Sequence, residues 1–340
     1  MKRTIALGLV AAITVYSAFA EVGVGMWGRG CADMLQVKDN ICTVQAGPDW
    51  APGARVGLNT WGDNGSFGFN LQMFCNGYAG ASGAANRKPG MIYIGDNAKI
   101  WGNLGPVTLT LGRYNEDDLT GGYGDYGLFG GLGLGYTLFS GFNSLAGVHM
   151  DLHLGNFFAA TAVNLYDENG NALDAASTYS KIQVACAYTV DNVGRIKVQY
   201  LGDEKKLGTF EAGFDLYAFD SFGTQVGCKI RPAKAFKDEM LVVALGANYD
   251  GVVDVAVKAA YFSVEKLKLD TGIDFTYEIN ERFALIETNI IHFNENVSYD
   301  GQAMVKANFG SGPGFACTGV AFKYDEGASL RIPLGVELSF

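Results

Sequence analysis

Leu267-Lys-Leu-Asp-Thr-Gly-Ile-Asp-Phe-Thr-Tyr-Glu278 alternates without a break. Leu267, Leu269, Thr271, Ile273, Phe275 and Tyr277 fall on one face of an extended chain. Lys268, Asp270, Gly272, Asp274, Thr276 and Glu278 fall on the other. A period of two marks a strand with one apolar and one polar face. The pattern recurs upstream. Val253, Val255, Val257, Ala259 and Tyr261 oppose Asp254, Ala256, Lys258 and Ala260. Phe210, Ala212, Phe214, Leu216 and Ala218 oppose Thr209, Glu211, Gly213, Asp215 and Tyr217. Phe222, Val226, Cys228 and Ile230 oppose Gln225, Gly227, Lys229 and Arg231. These runs are about twice as long as the five or six residues usual in globular strands. They match the length that crosses a bilayer when tilted.

Working outward from these runs, compact turn signals separate them: Asp191-Asn192, Gly202-Asp203-Glu204-Lys205, Asp250-Gly251, Asn280-Glu281 and Asp325-Glu326-Gly327. Such links join antiparallel neighbours in a meander. From Val22 onward the pattern gives nineteen candidate strands, the first near 22–29, the last at 329–340, one of them at 127–137. Single-chain bacterial barrels favour even counts. The expectation is therefore 18, with 16 as the alternative. The gaps near 30–53 and 76–95 read as larger loops, on the extracellular side.

Composition agrees. Charged residues are 18% of the 340, below the roughly 25% of soluble domains. Glycine is 47 residues, about twice the usual share of roughly 7%. The N-terminus carries Lys2 and Arg3, an apolar stretch from Ile5 to Tyr16, and Ala18-Phe19-Ala20. That is the form of a secretory signal. Residues 1–20 are read as a signal peptide cleaved near Ala20, and 21–340 as one domain. No other segment has the apolar length of a spanning helix, which needs about 20 residues. A net charge of −10 argues against a nucleic-acid partner.

A soluble sandwich would also alternate, but its strands are usually short and another sheet covers the apolar faces. In lipid, backbone polar groups can be satisfied only by helices or a closed barrel. The expected fold is all-β: a transmembrane antiparallel up-and-down β-barrel of 16–18 strands. Its apolar band would face lipid and its polar face the lumen. Tyr and Phe, 17 and 22 residues, suit the aromatic girdles at the two interfaces.

Two stretches carry a resemblance. In Ser329-Leu-Arg-Ile-Pro-Leu-Gly-Val-Glu-Leu-Ser-Phe340 the even positions are apolar and the last residue is aromatic. This resembles the assembly signal of Gram-negative outer-membrane β-barrels. The resemblance implies that barrel-assembly machinery recognises Phe340, and that the partner is outer-membrane lipid. In Asp96-Asn-Ala-Lys-Ile-Trp-Gly-Asn-Leu-Gly-Pro-Val-Thr-Leu-Thr-Leu-Gly-Arg113, Trp101, Gly102, Gly105, Val107, Leu109, Gly112 and Arg113 resemble a hairpin of general porins. Trp27-Gly-Arg-Gly30 and this hairpin are also similar to large spirochaete barrel proteins. The implied function is a porin-like channel for passive diffusion of small hydrophilic solutes, as a monomer or homotrimer. The alternatives are a fatty-acid-type transporter of hydrophobic substrates and an adhesin carried on a barrel scaffold. Pro333 departs from the pattern. It lacks an N–H, so it costs a ladder bond or forces a local bulge.

Strand parity selects the lumen. Lys99, Arg195, Lys197, Lys229, Arg231, Lys258, Lys268 and Arg331 fall on the inner face. So do Asp151, Glu211, Asp215, Asp254, Asp270, Asp274, Glu278 and Glu337. Rings of charge set ion selectivity, although charges on neighbouring strands also pair with one another. His149-Met-Asp-Leu-His153 puts two histidines on one face about 13 Å apart, too far to share a metal. The glycines of 127–136 lack the strand–turn–helix context of a dinucleotide site. No G-x-S-x-G or HExxH occurs. The chain is expected to have no catalytic, cofactor or metal site. Cys31 and Cys42 flank a polar stretch and could close a small loop as a disulfide; the other four cysteines are scattered.

Overall fold

The computed structural model describes residues 21–46, 54–76, 92–113, 146–167, 170–203, 206–219, 222–230, 241–249, 253–262, 268–293, 296–310 and 312–340. These form nineteen strands in one sheet. In chain order they are β1 (Glu21–Lys38), β2 (Ile41–Ala46), β3 (Arg55–Asp63), β4 (Phe67–Asn76), β5 (Ile92–Leu104), β6 (Val107–Arg113) and β7 (Gly147–Leu154). After them come β8 (Phe157–Asn164), β9 (Gln183–Val190), β10 (Gly194–Asp203), β11 (Lys206–Phe219), β12 (Phe222–Ile230) and β13 (Leu241–Tyr249). The last are β14 (Val253–Phe262), β15 (Lys268–Asn280), β16 (Phe283–Phe293), β17 (Val297–Asn308), β18 (Gly314–Tyr324) and β19 (Ala328–Ser339).

From β3 to β19 each strand pairs antiparallel with the next, and β19 returns to β1. β1 pairs with β3 through Glu21–Arg29 and with β2 through Ala32–Lys38. Strands β2 and β3 thus share one position beside β1. The described strands close a circuit of eighteen positions. The circuit itself closes through the β19–β1 and β1–β3 pairings, as a lipid-spanning barrel requires, while β2 pairs with β1 alone among the described strands. Among the described residues, no helix is long and apolar enough to cross a membrane.

The burial pattern is inverted relative to a water-soluble protein. Large apolar residues such as Val24, Met26, Ile100, Ile196 and Phe210 are exposed on the outside. Lys197, Glu211, Asp274 and Thr288 are buried on the inside. An outer apolar band and a polar interior are the arrangement lipid demands.

The two ends differ. β1 begins at Glu21, opposite Asp63, and Phe340 exchanges backbone hydrogen bonds with Met26 at the same end. The short turns between β3 and β4, β5 and β6, β7 and β8, and β9 and β10 also lie there. At the other end, Asp39 and Asn40 take positive φ in the tight β1–β2 turn, and a short helix α1 (Ala175–Ser180) precedes β9. Asp174 caps α1 by accepting from the Ser177 N–H at 2.7 Å.

The structure corrects parts of the sequence reading. Residues 30–46 are not loop: β1 runs on to Lys38 and turns into β2. The candidate strand at 127–137 lies outside the described residues. β6 pairs directly with β7 across it, so the circuit closes without it. Most of the 76–95 gap lies outside them too, and β5 begins at Ile92. At Pro333 the expected irregularity appears in its partner. The β1–β19 register slips between Asp33 and Leu35, opposite Pro333 and Ile332. β1 inserts Met34 where β19 offers no N–H. The Pro333 carbonyl instead accepts from Thr318 Oγ1 at 2.9 Å.

Candidate functional site: the inner wall

Charged residues line the wall in cross-strand groups. On β10 and β11, Lys197 Nζ lies 2.7 Å from Asp215 Oδ2, with the lysine side chain only 1% exposed. Beside it, Gln199 donates to Glu211, which stands opposite Lys229 in the register. Arg195 stacks over Phe158 at 5.8 Å. On β7, His149 Nε2 lies 2.5 Å from Asp151 Oδ1, while His153 packs against Phe158. On β15 to β18, His292 bridges Asp270 at 2.6 Å and Asp300 at 3.4 Å. Lys323 reaches the same Asp300 carboxylate at 3.7 Å. At the seam, Arg331 lies 3.7 Å from Asp33, and Glu337 faces Arg29 across the ladder.

These positions place the residues selected by parity. Lys99, Asp151, Arg195, Lys197, Glu211, Asp215, Asp270, Asp274, Arg331 and Glu337 lie on strands in the inner-face register. Lys229, Asp254, Lys258 and Lys268 occupy β12, β14 and β15, at backbone positions matching that register. Arg231 lies outside the described residues, as do the glycines of 127–136. Among the described side chains, the wall pairs Lys197 with Asp215, Arg331 with Asp33 and Lys323 with Asp300. Ion pairing across adjacent strands offsets the cost of removing each charge from bulk water.

The Cys31–Cys42 disulfide is not formed. Cys31 is buried and Cys42 is exposed, and no bond joins them. Cys42 pairs with Val37, six residues further along β1 than Cys31, about 20 Å at the strand rise. A disulfide needs Cα atoms within about 7 Å. Cys31 faces the seam instead. It and Cys317 both stand opposite Gly335, in one buried cluster with Ile286 and Met304.

One feature of the wall was missed from sequence. Tyr and Phe suit lipid-facing girdles, yet Phe74 and Tyr93 point inward, together with Trp27, Trp61 and Trp101, on β1, β3, β4 and β5. Trp27, Gly57, Phe74 and Tyr93 form one row across these strands. Their rings are contiguous: Trp27 to Phe74 is 6.4 Å between centroids, and Phe74 to Tyr93 is 5.7 Å, stacked. Lower on the wall stand Trp61, opposite Gly23, and Trp101, opposite Gly68. Arg55 lies over Phe74 at 4.4 Å, Arg29 over Trp27 at 4.8 Å and Lys99 near Trp101 at 5.9 Å. Parity carried the missing signal. In Glu21–Arg29, Val22, Val24 and Met26 take the lipid face, which leaves Trp27 inside with Gly23 and Gly25.

Comparison with known proteins agrees at the level of fold. No protein-family model matches the sequence, and no curated protein matches it. Among solved structures, Pseudomonas aeruginosa OpdQ is 7% identical with a TM-score of 0.60, covering 94% of this chain and 98% of its own. An engineered double mutant of the Rhodopseudomonas blastica porin is 14% identical with a TM-score of 0.54, covering 94% of this chain and 100% of its own. At these identities the likeness is one of architecture: the chain folds as a porin-type barrel.

Proposed function

We propose that this chain is an outer-membrane channel through which small hydrophilic solutes and ions pass by diffusion. The observation that carries the reading is the closed circuit of eighteen strand positions, apolar outside and charged inside. A circuit of this size encloses more space than its own side chains fill, which leaves an aqueous path. The charges are grouped with both signs present, so the wall is hydrated without a single dominant field. The likeness to porin-type barrels supports the same reading. The channel needs only a wetted wall and a concentration gradient.

Three further features belong to this proposal. Residues 1–20 act as a signal that is cleaved near Ala20. Phe340 is a label for the barrel-assembly machinery; its ring is 81% exposed beside the seam, which leaves it accessible. The working form is a homotrimer, as the porin resemblance implies, measurable as the mass of the folded species in detergent.

Liposome swelling tests the channel directly. Vesicles containing the folded protein should swell in isotonic arabinose and more slowly in larger saccharides. Swelling no faster than in empty vesicles, with protein shown to be folded and inserted, would overturn the proposal.

A further inference from the structure

The tryptophans of the inner wall have an unusual posture. A Cβ built on Gly57 would come within 2.1 Å of the Trp27 indole, one on Gly23 within 2.2 Å of Trp61, and one on Gly68 within 2.3 Å of Trp101. Trp61 also lies 3.3 Å from the position of a Cβ on Gly25. Each indole therefore lies flat on a glycine of the neighbouring strand. A ring held flat against a wall turns its other face to the space the wall encloses. Trp61 shows this most clearly, at 38% exposure.

The rings run along the strands. From the row of Trp27, Phe74 and Tyr93 to Trp61 is four residues, and Trp101 stands two residues beyond the Trp61 row. The strip is about 20 Å long at the strand rise. Its other side chains are polar. Asn59 lies two residues from Trp61 on the same face, Asn70 directly opposite Trp61, and Gln72 opposite Asn59. Asn59 and Asn70 are half-buried; their amide oxygens are turned inward with no hydrogen-bond partner among the described residues, which leaves the amide N–H groups on the open side.

We propose that this strip binds oligosaccharides, with pyranose rings stacking on Trp61 and Trp101 and hydroxyl oxygens accepting from the half-exposed side-chain amides of Asn59 and Asn70. A pyranose has two C–H faces and a polar rim, and the strip offers the complement of both. Flat aromatic faces take the C–H surface, and side-chain amide N–H groups donate to hydroxyl oxygens. A purely apolar solute would cover the amide N–H groups without pairing them, which is costly in a desolvated contact. Succession along the axis suits a chain of rings better than a single one. The inference rests on the channel reading and narrows its solute class.

The test uses the purified, folded full-length chain. Trp27, Trp61 and Trp101 are three of its 4 tryptophans, so intrinsic fluorescence reports on the strip. Maltohexaose should shift or quench the emission saturably, and a polyethylene glycol of equal size should not. Trp61→Ala should weaken the maltohexaose affinity about tenfold, the order expected for losing one stacked aromatic contact. Trp61→Phe should recover part of it, and Asn70→Ala should weaken binding while the emission of the free protein stays unchanged. In planar bilayers, maltohexaose should block current at concentrations where the glycol does not. Stepwise conductance with no saturable fluorescence change and no block selective for the saccharide would overturn the strip and leave the channel standing. Saturable fluorescence change without any conductance would support the strip and overturn the channel.

Discussion

At the scale of single residues, the wall shows how charges and rings are held. Lys197 is buried against Asp215, and that contact supports its charge within a low-dielectric setting. Asp215→Asn should destabilise the barrel by about 3 kcal/mol or more, read as a lowered unfolding midpoint in detergent. Replacing both residues by apolar ones of similar volume should cost much less. Gly57→Ala tests the flat posture of Trp27. The added methyl meets the indole at 2.1 Å, and overpacking of this kind costs about 1–3 kcal/mol. Asp174, outside the spanning strands, reports pH. Its hydrogen bonds to the Ser177 backbone N–H and side chain hold the carboxyl below the usual aspartate range. A depressed folded value means that the cap is fully in place above the ordinary aspartate pKa and is lost as pH falls through the folded one. The Ser177 amide should lose protection relative to its intrinsic exchange rate over that acidic window, and Asp174→Asn should abolish that loss.

Elements carry a different lesson, because period two survives folding and turn boundaries do not. The alternation of 267–278 and its relatives places the strands and the inner face, since a one-residue error would turn every charge to lipid. β2 escaped the pattern for a visible reason. Ile41 and Val44, its exposed apolar residues, are three apart and share no strand face. Lumenal charge was legible because Lys, Arg, Asp and Glu in a spanning strand have only one tolerable side. Aromatic residues are stable at either face, so the inward position of Trp27, Trp61 and Trp101 depended on the parity of their weakly patterned, glycine-rich neighbours. The separation of Cys31 from Cys42 followed from β1 continuing past Cys31, which nothing in the polar composition of 30–40 announced. Both thiols should react with a maleimide in the unfolded protein without any reductant; protection of both together would restore the disulfide. At the seam, Phe340 exchanges hydrogen bonds with Met26 at 2.7 and 3.0 Å. Its deletion should lower the yield of folded barrel in the outer membrane more than the amount of protein exported. An unchanged folded yield would refute its role as a label.

For the whole molecule, the defining property is inversion: a wall that pairs its charges within and offers Val, Ile, Met and Phe to the outside. Only a closed circuit in lipid satisfies both the backbone and these two surfaces. Its strand count carries the proposed channel function, since eighteen positions enclose an aqueous path unless something fills it. Single-channel recording in planar bilayers is the most direct measurement of that claim. Folded, purified protein should insert in discrete steps of uniform conductance that rise with salt concentration. Folded protein that inserts yet leaves the bilayer electrically silent would contradict it.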